Sequence, residues 1–335
     1  MVKDFYDWLE ASLPILTQKQ AVIGFDGSID RLASIQSMET MSDLSAYLAS
    51  REGMSGALEM HQNPPKIGGN MPITANALGQ LGLKSDCIGA IDDPLFAGVS
   101  KNCTLHPVAP PCTCLALEFK AGKLMLIGTE SVKTLNFASI TAKLGKGKLQ
   151  QIYSQADLCC FLNWSELPGM TDILCGLQHM VSDSAVSFFD LADFSERKPD
   201  EVKEYLSLIG KFKESILSLN ENETNLLMKL YKAKDMDSLY KILKVKHLVI
   251  RTNHKAHAIS SNGIVSINTL YVKNPRLLTG AGDNFNAGIA AALLMGGNWQ
   301  QALSLGTLVS SYYIENGYSP DLNGLLYAAK KFSIK

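Results

Sequence analysis

Thr279-Gly280-Ala281-Gly282-Asp283-Asn284-Phe285-Asn286-Ala287-Gly288 decides how the rest of the chain is read. Small residues at 280–282 stand in front of an Ala-rich segment in which Phe285, Ile289, Ala292 and Leu293 recur at helical spacing, and Gly296-Gly297 ends the run. A helix therefore starts close to Gly280, with bare backbone amides at its positive end and Asp283 in its first turn or at its cap. Two readings stand side by side. In one, the amides of Gly280 to Asp283 hold a transferring phosphoryl group while Asp283 takes the proton of an attacking hydroxyl, because phosphoryl transfer needs positioning, charge neutralisation and an oriented acceptor. In the other, Gly280-Ala281-Gly282 is a tight turn and Asp283 an ordinary cap.

Upstream, Gly68-Gly69 precede a second helix, which Asn70 can cap, Pro72 can open and Gly82 can close. Ala21 to Phe25 reads as a short buried strand ending in a polar turn, Asp26-Gly27-Ser28-Ile29-Asp30. An α/β sheet places its ligands at such C-terminal strand ends, although Asp26 taken alone reads most simply as a surface turn acid. Leu32 to Ile35 is strand-like and Met41 to Ala49 helical. Cys112 to Phe119 and Leu124 to Ile127 form a hairpin turning at Ala121-Gly122-Lys123.

From Lys84 onward, strand-like runs at Cys87–Ile91, Asp157–Leu162, Ala185–Phe189, Ser215–Leu219 and His247–Arg251 alternate with helical stretches at Met170–Met180, Pro199–Phe212 and Asp235–Lys244. That alternation predicts a parallel sheet covered on both faces. Lys143 to Lys148 reads as a solvated basic loop. Asp193 and Arg197 follow another strand end, either in a ligand pocket or as a surface pair. Leu248 to Ala258 predicts a strand, a turn and the next strand.

Composition narrows the class. The chain has 335 residues and a formal charge of -1, which suits one large α/β domain with a small accessory part and supplies no field to recruit nucleic acid or an acidic membrane. Seven cysteines, several in apolar strand-like runs, fit a reducing compartment. Met1 to Leu9 carries acids and reads as a short amphipathic helix, not an export signal, and no stretch is long and apolar enough to span a bilayer. A soluble, cytoplasmic protein is expected. The histidines and cysteines lack zinc-ligand spacing.

The segment TGAGDNFNAG at 279–288, taken with GG, Asn, Ala and Leu-Gly across 68–82, resembles the paired signatures of the ribokinase-like, or PfkB-type, carbohydrate kinases. Family-like segments run from about Ala21 to about Pro320. The resemblance implies a ribokinase-like three-layer α/β sandwich with a mostly parallel central sheet and a small β lid. Residues 1–335 would form a single kinase domain, with the lid drawn from about 31–66 and 112–127. The activity implied is ATP-dependent phosphorylation of a hydroxyl group on a sugar or sugar-like small molecule. A nucleoside kinase and a noncatalytic binding or assembly protein on the same fold are the alternatives.

On that resemblance Gly280, Ala281 and Gly282 form the anion hole and Asp283 is the catalytic base. Asp30, Gly68, Gly69, Asn70 and Asn76 bind the acceptor. Asn220 and Glu223 match an Asn-x-x-Glu element that organises Mg2+ through its water ligands, and Asn253 flanks the nucleotide. Two departures stand out. Asn253 and Ala256 occupy the glycine places of a common Thr-x-Gly-x-x-Gly turn, and no acid stands near Leu277, where the family often has one in a loop bearing a monovalent cation. The cofactors implied are ATP and Mg2+, with activation by a monovalent cation left open; the lid also allows a homodimer paired through it.

Overall fold

The computed structural model describes residues 3–120 and 122–333, so Met1, Val2 and the Ala121 position of the hairpin turn lie outside the described residues. In chain order the strands are β1 (Gln20–Phe25), β2 (Ser28–Ile35), β3 (Met60–Gln62), β4 (Lys66–Gly68), β5 (Lys84–Gly89), β6 (Cys103–Pro107) and β7 (Cys112–Phe119). They continue as β8 (Gly122–Gly128), β9 (Leu158–Leu162), β10 (Val186–Asp190), β11 (Glu214–Asn220), β12 (His247–Arg251), β13 (Lys255–Ser260) and β14 (Gly263–Asn268). A nine-stranded sheet runs in the order β14-β13-β12-β11-β10-β9-β1-β5-β6. All pairs from β12 across to β6 are parallel, and only β13 and β14 run antiparallel at one edge.

The central strands are apolar without alternation because both of their faces are covered. Period-two side-chain direction divides them between two cores: Ile23, Cys160, Phe188 and Ile216 pack on one side, and Val22, Phe161, Phe189 and Leu217 on the other. The first side is covered by the helices Asn70–Gln80, Ala281–Leu294 and Trp299–Asn316, whose apolar residues belong to the same core. The second is covered by Lys146–Gln155, Met170–Leu177 and Pro199–Ile209. Helices on both faces give the three-layer α/β sandwich.

The remaining strands form a five-stranded sheet ordered β3-β2-β7-β8, with β4 also paired to β2. Its small core of Ala33, Ile35, Met38, Leu44 and Leu117 is roofed by the helix Met41–Ser50, which Thr40 and Asp43 start with a capping box.

The polar turn read at 26–30 is shorter than the sequence suggested, because Ser28 to Asp30 already belong to β2 and pair with β4 and β7. The basic stretch at 143–148 is not a loop: the helices Phe137–Leu144 and Lys146–Gln155 meet at Gly145, which adopts the positive φ of 82° their junction needs. The N-terminal helix is longer than its amphipathic start, reaching Lys3–Leu16. None of the described helices is long and apolar enough to cross a membrane, and all seven cysteines are free thiols.

Candidate active site

Strands β1, β9, β10, β11 and β12 all end at one edge of the central sheet. Asp26, Asn163, Asp190, Asn220 and Arg251 are therefore brought to a common rim by register alone. The helix Ala281–Leu294 points its N-terminus at this rim. Gly280 caps it at φ 90°, a backbone that an L side chain rarely adopts, and Asn284 Nδ2 donates back to the Gly280 carbonyl at 2.9 Å. Ser319 Oγ holds the other side of that amide at 2.8 Å, and Ser310 Oγ donates to the Ala281 carbonyl at 2.9 Å. The turn is thus fixed from several directions before any ligand arrives.

Asp283, in the first helical turn, is 7% exposed, and its Oδ1 is buried without a hydrogen-bond partner. Burial, reinforced by the Asp190 carboxylate, pushes it well above the usual carboxylate range; Arg251 and the Asn70 amide pull the other way. Asp190 is itself engaged, accepting from Asn286 Nδ2 at 2.6 Å, with Ser218 Oγ donating to the same Asn286 at 2.7 Å. A buried acid with a free oxygen at a positive helix end has the properties of a proton acceptor awaiting a hydroxyl.

Two clefts meet at the 279–282 turn. One, of about 370 Å³, is lined by Asn220, Arg251, Asn253, Ala281, Gly282 and residues of the Trp299–Asn316 helix such as Thr307 and Ser311. The other, of about 460 Å³, lies between the small sheet and the 275–279 segment and is lined by Asp30, Lys66, Lys123, Thr279 and Tyr313, among others. Leu278 lines both. Lys123 from β8 donates to Thr279 Oγ1 at 2.5 Å and Tyr313 to the Thr279 carbonyl at 2.8 Å, joining the small sheet to the 279–282 turn.

The sequence-predicted residues divide accordingly. Asp30 lines the small-sheet cleft and accepts from Ser28 Oγ at 2.7 Å; burial raises its pKa, while Ser28 and Lys123 lower it. Gly68 has to lack a side chain, since a Cβ there would sit 2.3 Å from Asp30 Oδ2. Gly69, at φ 93°, caps the helix Asn70–Gln80, so Asn70 is its first residue and not its cap. Asn76 lines a separate cavity of about 190 Å³ together with Ile73, Gly98 and Tyr318, and Asp30 is not on its wall.

Asn220 and Glu223 are bonded to each other as a capping box, with both Glu223 oxygens accepting from Asn220, at 2.9 Å and 2.6 Å. Burial, aided by Asp190, pushes Glu223 up to about 8. Asn253 lines the nucleotide-sized cleft but is exposed. Neither it nor Ala256 has positive φ, so the missing glycines impose no strain: Thr252 closes the turn by bonding to Lys255.

Asp26 is the largest correction. It is 3% exposed and no surface acid: it accepts from the backbone amides of Asn70 at 2.7 Å and Met71 at 2.8 Å and from Asn163 Nδ2 at 2.9 Å. It therefore caps the second helix from another part of the chain, and burial pushes it up to about 6 despite those bonds. Arg197 belongs to neither pocket. It stacks 4.6 Å over Trp164 and donates to the carbonyls of Trp164 and Ser165. Sequence reasoning missed Asn163, Lys123 and Arg251. Only Arg251 carried a local signal, a charged residue closing an apolar strand.

Among the described residues, no group of three or more His, Cys, Asp or Glu side chains is placed to hold a metal ion. With both Glu223 oxygens taken, the site fits a magnesium ion carried by a ligand's phosphates and reached through water, and does not fit a protein-ligated ion.

A buried acid in the first turn of a helix, beside a turn shared by two clefts on this three-layer scaffold, is the arrangement of a ribokinase-like fold. A family model described as prokaryotic ketohexokinase matches residues 9–332, and the chain belongs to that family, within the ribokinase-like, PfkB-type kinases. It is 26% identical to a ketohexokinase of Haloferax volcanii, over 91% of this chain and 89% of that one. Solved structures share the fold at lower identity. An Arabidopsis thaliana ribokinase complexed with ribose and ATP superposes with a TM-score of 0.69 at 15% identity, covering 93% of this chain and 98% of its own. A Methanocaldococcus jannaschii nucleoside kinase gives 0.68 at 10% identity, covering 93% and 98%.

Proposed function

We propose that the protein transfers the terminal phosphoryl group of ATP to a hydroxyl of a ketohexose. The observation that carries this is the buried Asp283, with an unpartnered oxygen, the residue after the 278–282 turn on which the two clefts converge, in a chain of the prokaryotic ketohexokinase family. Asp30 would accept hydrogen bonds from neighbouring sugar hydroxyls in the small-sheet cleft, and the missing side chain at Gly68 leaves room for its carboxylate. Asp283 would take the proton of the attacking hydroxyl, and the Gly280 and Gly282 amides would receive the charge of the transferring group, the Ala281 amide being bonded to the Leu278 carbonyl at 3.1 Å. The small sheet acts as a lid that excludes water, so that the phosphoryl group is not lost to hydrolysis. Its outer strand β8 exposes Leu124, Met125, Leu126 and Ile127, an edge suited to pairing with a second copy.

Magnesium bound with the nucleotide supplies charge neutralisation on the phosphates. Asn220 and Glu223 would orient its water ligands. Glu223→Gln can keep one of the two Asn220 bonds but sets an amide NH2 against the other donor and removes a carboxylate that a nearby cation would ionise, so the magnesium concentration for half-maximal rate should rise, on the order of ten-fold. A magnesium titration of initial rates checks this, and an unchanged dependence moves the metal role elsewhere.

The acceptor is tested by assaying ADP release with ketohexoses, aldohexoses, pentoses and nucleosides under ATP and magnesium. Selective turnover of a ketohexose is expected. Selective turnover of a nucleoside would replace the acceptor, and equal background hydrolysis with every compound would remove the kinase reading.

A further inference from the structure

Arg251 closes β12, the strand next to β11, and the register sets it beside Asn220 on one side and Ala256 on the other. Its guanidinium lies directly on the backbone of the anion-hole turn: a Cβ on Gly282 would fall 2.3 Å from Nη2 and 2.6 Å from Cζ. The same group stands 5.8 Å from the centre of the Phe285 ring, one turn further along the helix. Nη1 is buried and has no hydrogen-bond partner. Arg251 forms no salt bridge with any described carboxylate, although Asp283 and Glu223 both feel its charge.

This arrangement is unfavourable as it stands. A guanidinium is always charged, and here it is packed against the positive end of a helix with one of its nitrogens deprived of water. In the same helix turn Asp283 keeps an unpartnered oxygen at 7% exposure, while the Ala281 amide is already bonded to the Leu278 carbonyl at 3.1 Å. The wall of the 370 Å³ cleft carries the Arg251 fork and the Ala281-Gly282 helix end side by side. A ligand that satisfies them together must be an anion with several oxygens. A planar fork beside a helix N-terminus matches a chain of phosphates better than a single carboxylate.

We propose that Arg251 is a catalytic residue that grips the donor's terminal phosphates from beside the Gly280–Gly282 turn. The proposal rests on the kinase reading of the site and adds a cation to it. Arg251 neutralises charge on the equatorial oxygens during transfer, and its position at the end of a central-sheet strand keeps it preorganised. It also accounts for Gly282, where any side chain would displace the guanidinium.

Calorimetric titration of the full chain with ATP, ADP, adenosine and inorganic tripolyphosphate, for the parent, Arg251→Gln and Arg251→Lys, tests this. Arg251→Gln should weaken ATP, ADP and tripolyphosphate binding by on the order of ten- to a hundred-fold, leave adenosine within about two-fold, and lower kcat. Arg251→Lys should recover part of the polyphosphate affinity. Thermal unfolding without ligand should be unchanged or shifted upward in Arg251→Gln, because an unpaired cation is removed. Polyphosphate binding within two-fold of the parent overturns the proposal. So does an equal loss of adenosine affinity or a lowered unfolding temperature, either of which marks a structural role. If the parent binds tripolyphosphate through Arg251 but neither binds nor uses ATP, the kinase reading fails with ATP as donor while the role of Arg251 stands.

Discussion

Replacing Asp283 by Asn should lower turnover by on the order of a hundred-fold or more while leaving nucleotide affinity nearly intact. The amide keeps the size of the carboxylate, so the helix turn held by Asn284, Ser310 and Ser319 has no reason to move. What it loses is the capacity to take a proton. Burial first, and Asp190 second, hold Asp283 above the ordinary carboxylate range. In the parent, kcat/KM should therefore fall as pH drops through that raised value, and Asp283→Asn should lose this acidic limb. Stability moves in the opposite sense. An acid raised in the folded state contributes stability below its unfolded pKa and loses it as pH rises through the folded one, so at neutral pH the ionised Asp283 is a burden. Asp283→Asn should then unfold at an equal or higher temperature. Steady-state rates across pH, calorimetry with ATP and a thermal melt read all three. Turnover within a few-fold of the parent would remove Asp283 as the base.

The fold was legible because its signals are local. The unbroken apolar run of β9 and the alternating helical stretches report a sheet covered on both faces, and TGAGD reports a helix whose first turn is bare. The proposed anion hole and base both come from that one segment. What the sequence hid is long-range. Asp26 looks like a turn acid because nothing nearby in sequence shows that the amides of Asn70 and Met71 will arrive to bond it. Asn163, in a left-handed conformation at φ 58°, reaches the same carboxylate from the end of β9, and it also donates to Glu166 at 3.1 Å. The Asn253 and Ala256 departures looked disruptive for the converse reason, since the turn's actual closure by Thr252 needs no glycine. Asn220 and Glu223 show a third case. Spacing identified the pair, but only coordinates show both carboxylate oxygens bonded to Asn220.

Asp30→Ala and Asp26→Ala should separate acceptor recognition from the framework that supports it. The Asp30 carboxylate accepts from Ser28 Oγ and stands over the bare backbone of Gly68 on the wall of the small-sheet cleft. Removing it should leave the melting temperature nearly unchanged. Two sugar hydroxyls without a charged partner should lower the acceptor kcat/KM by roughly ten- to several-hundred-fold, since such bonds are worth about 1.5 to 3 kcal/mol each. ATP affinity without acceptor should hold. Asp26→Ala instead strands the Asn70 and Met71 amides and Asn163 Nδ2 in a buried place, where each unsatisfied group costs about 1 to 3 kcal/mol, so the protein should lose roughly 3 kcal/mol or more of stability. Activity should fall with it, because Asn70, which pulls on Asp283, sits on the helix end that Asp26 holds. Denaturant unfolding and acceptor kinetics on the two variants give the comparison. An Asp30→Ala enzyme with parental acceptor specificity, beside an Asp26→Ala enzyme of parental stability that no longer recognises the sugar, would exchange the roles assigned to these two carboxylates.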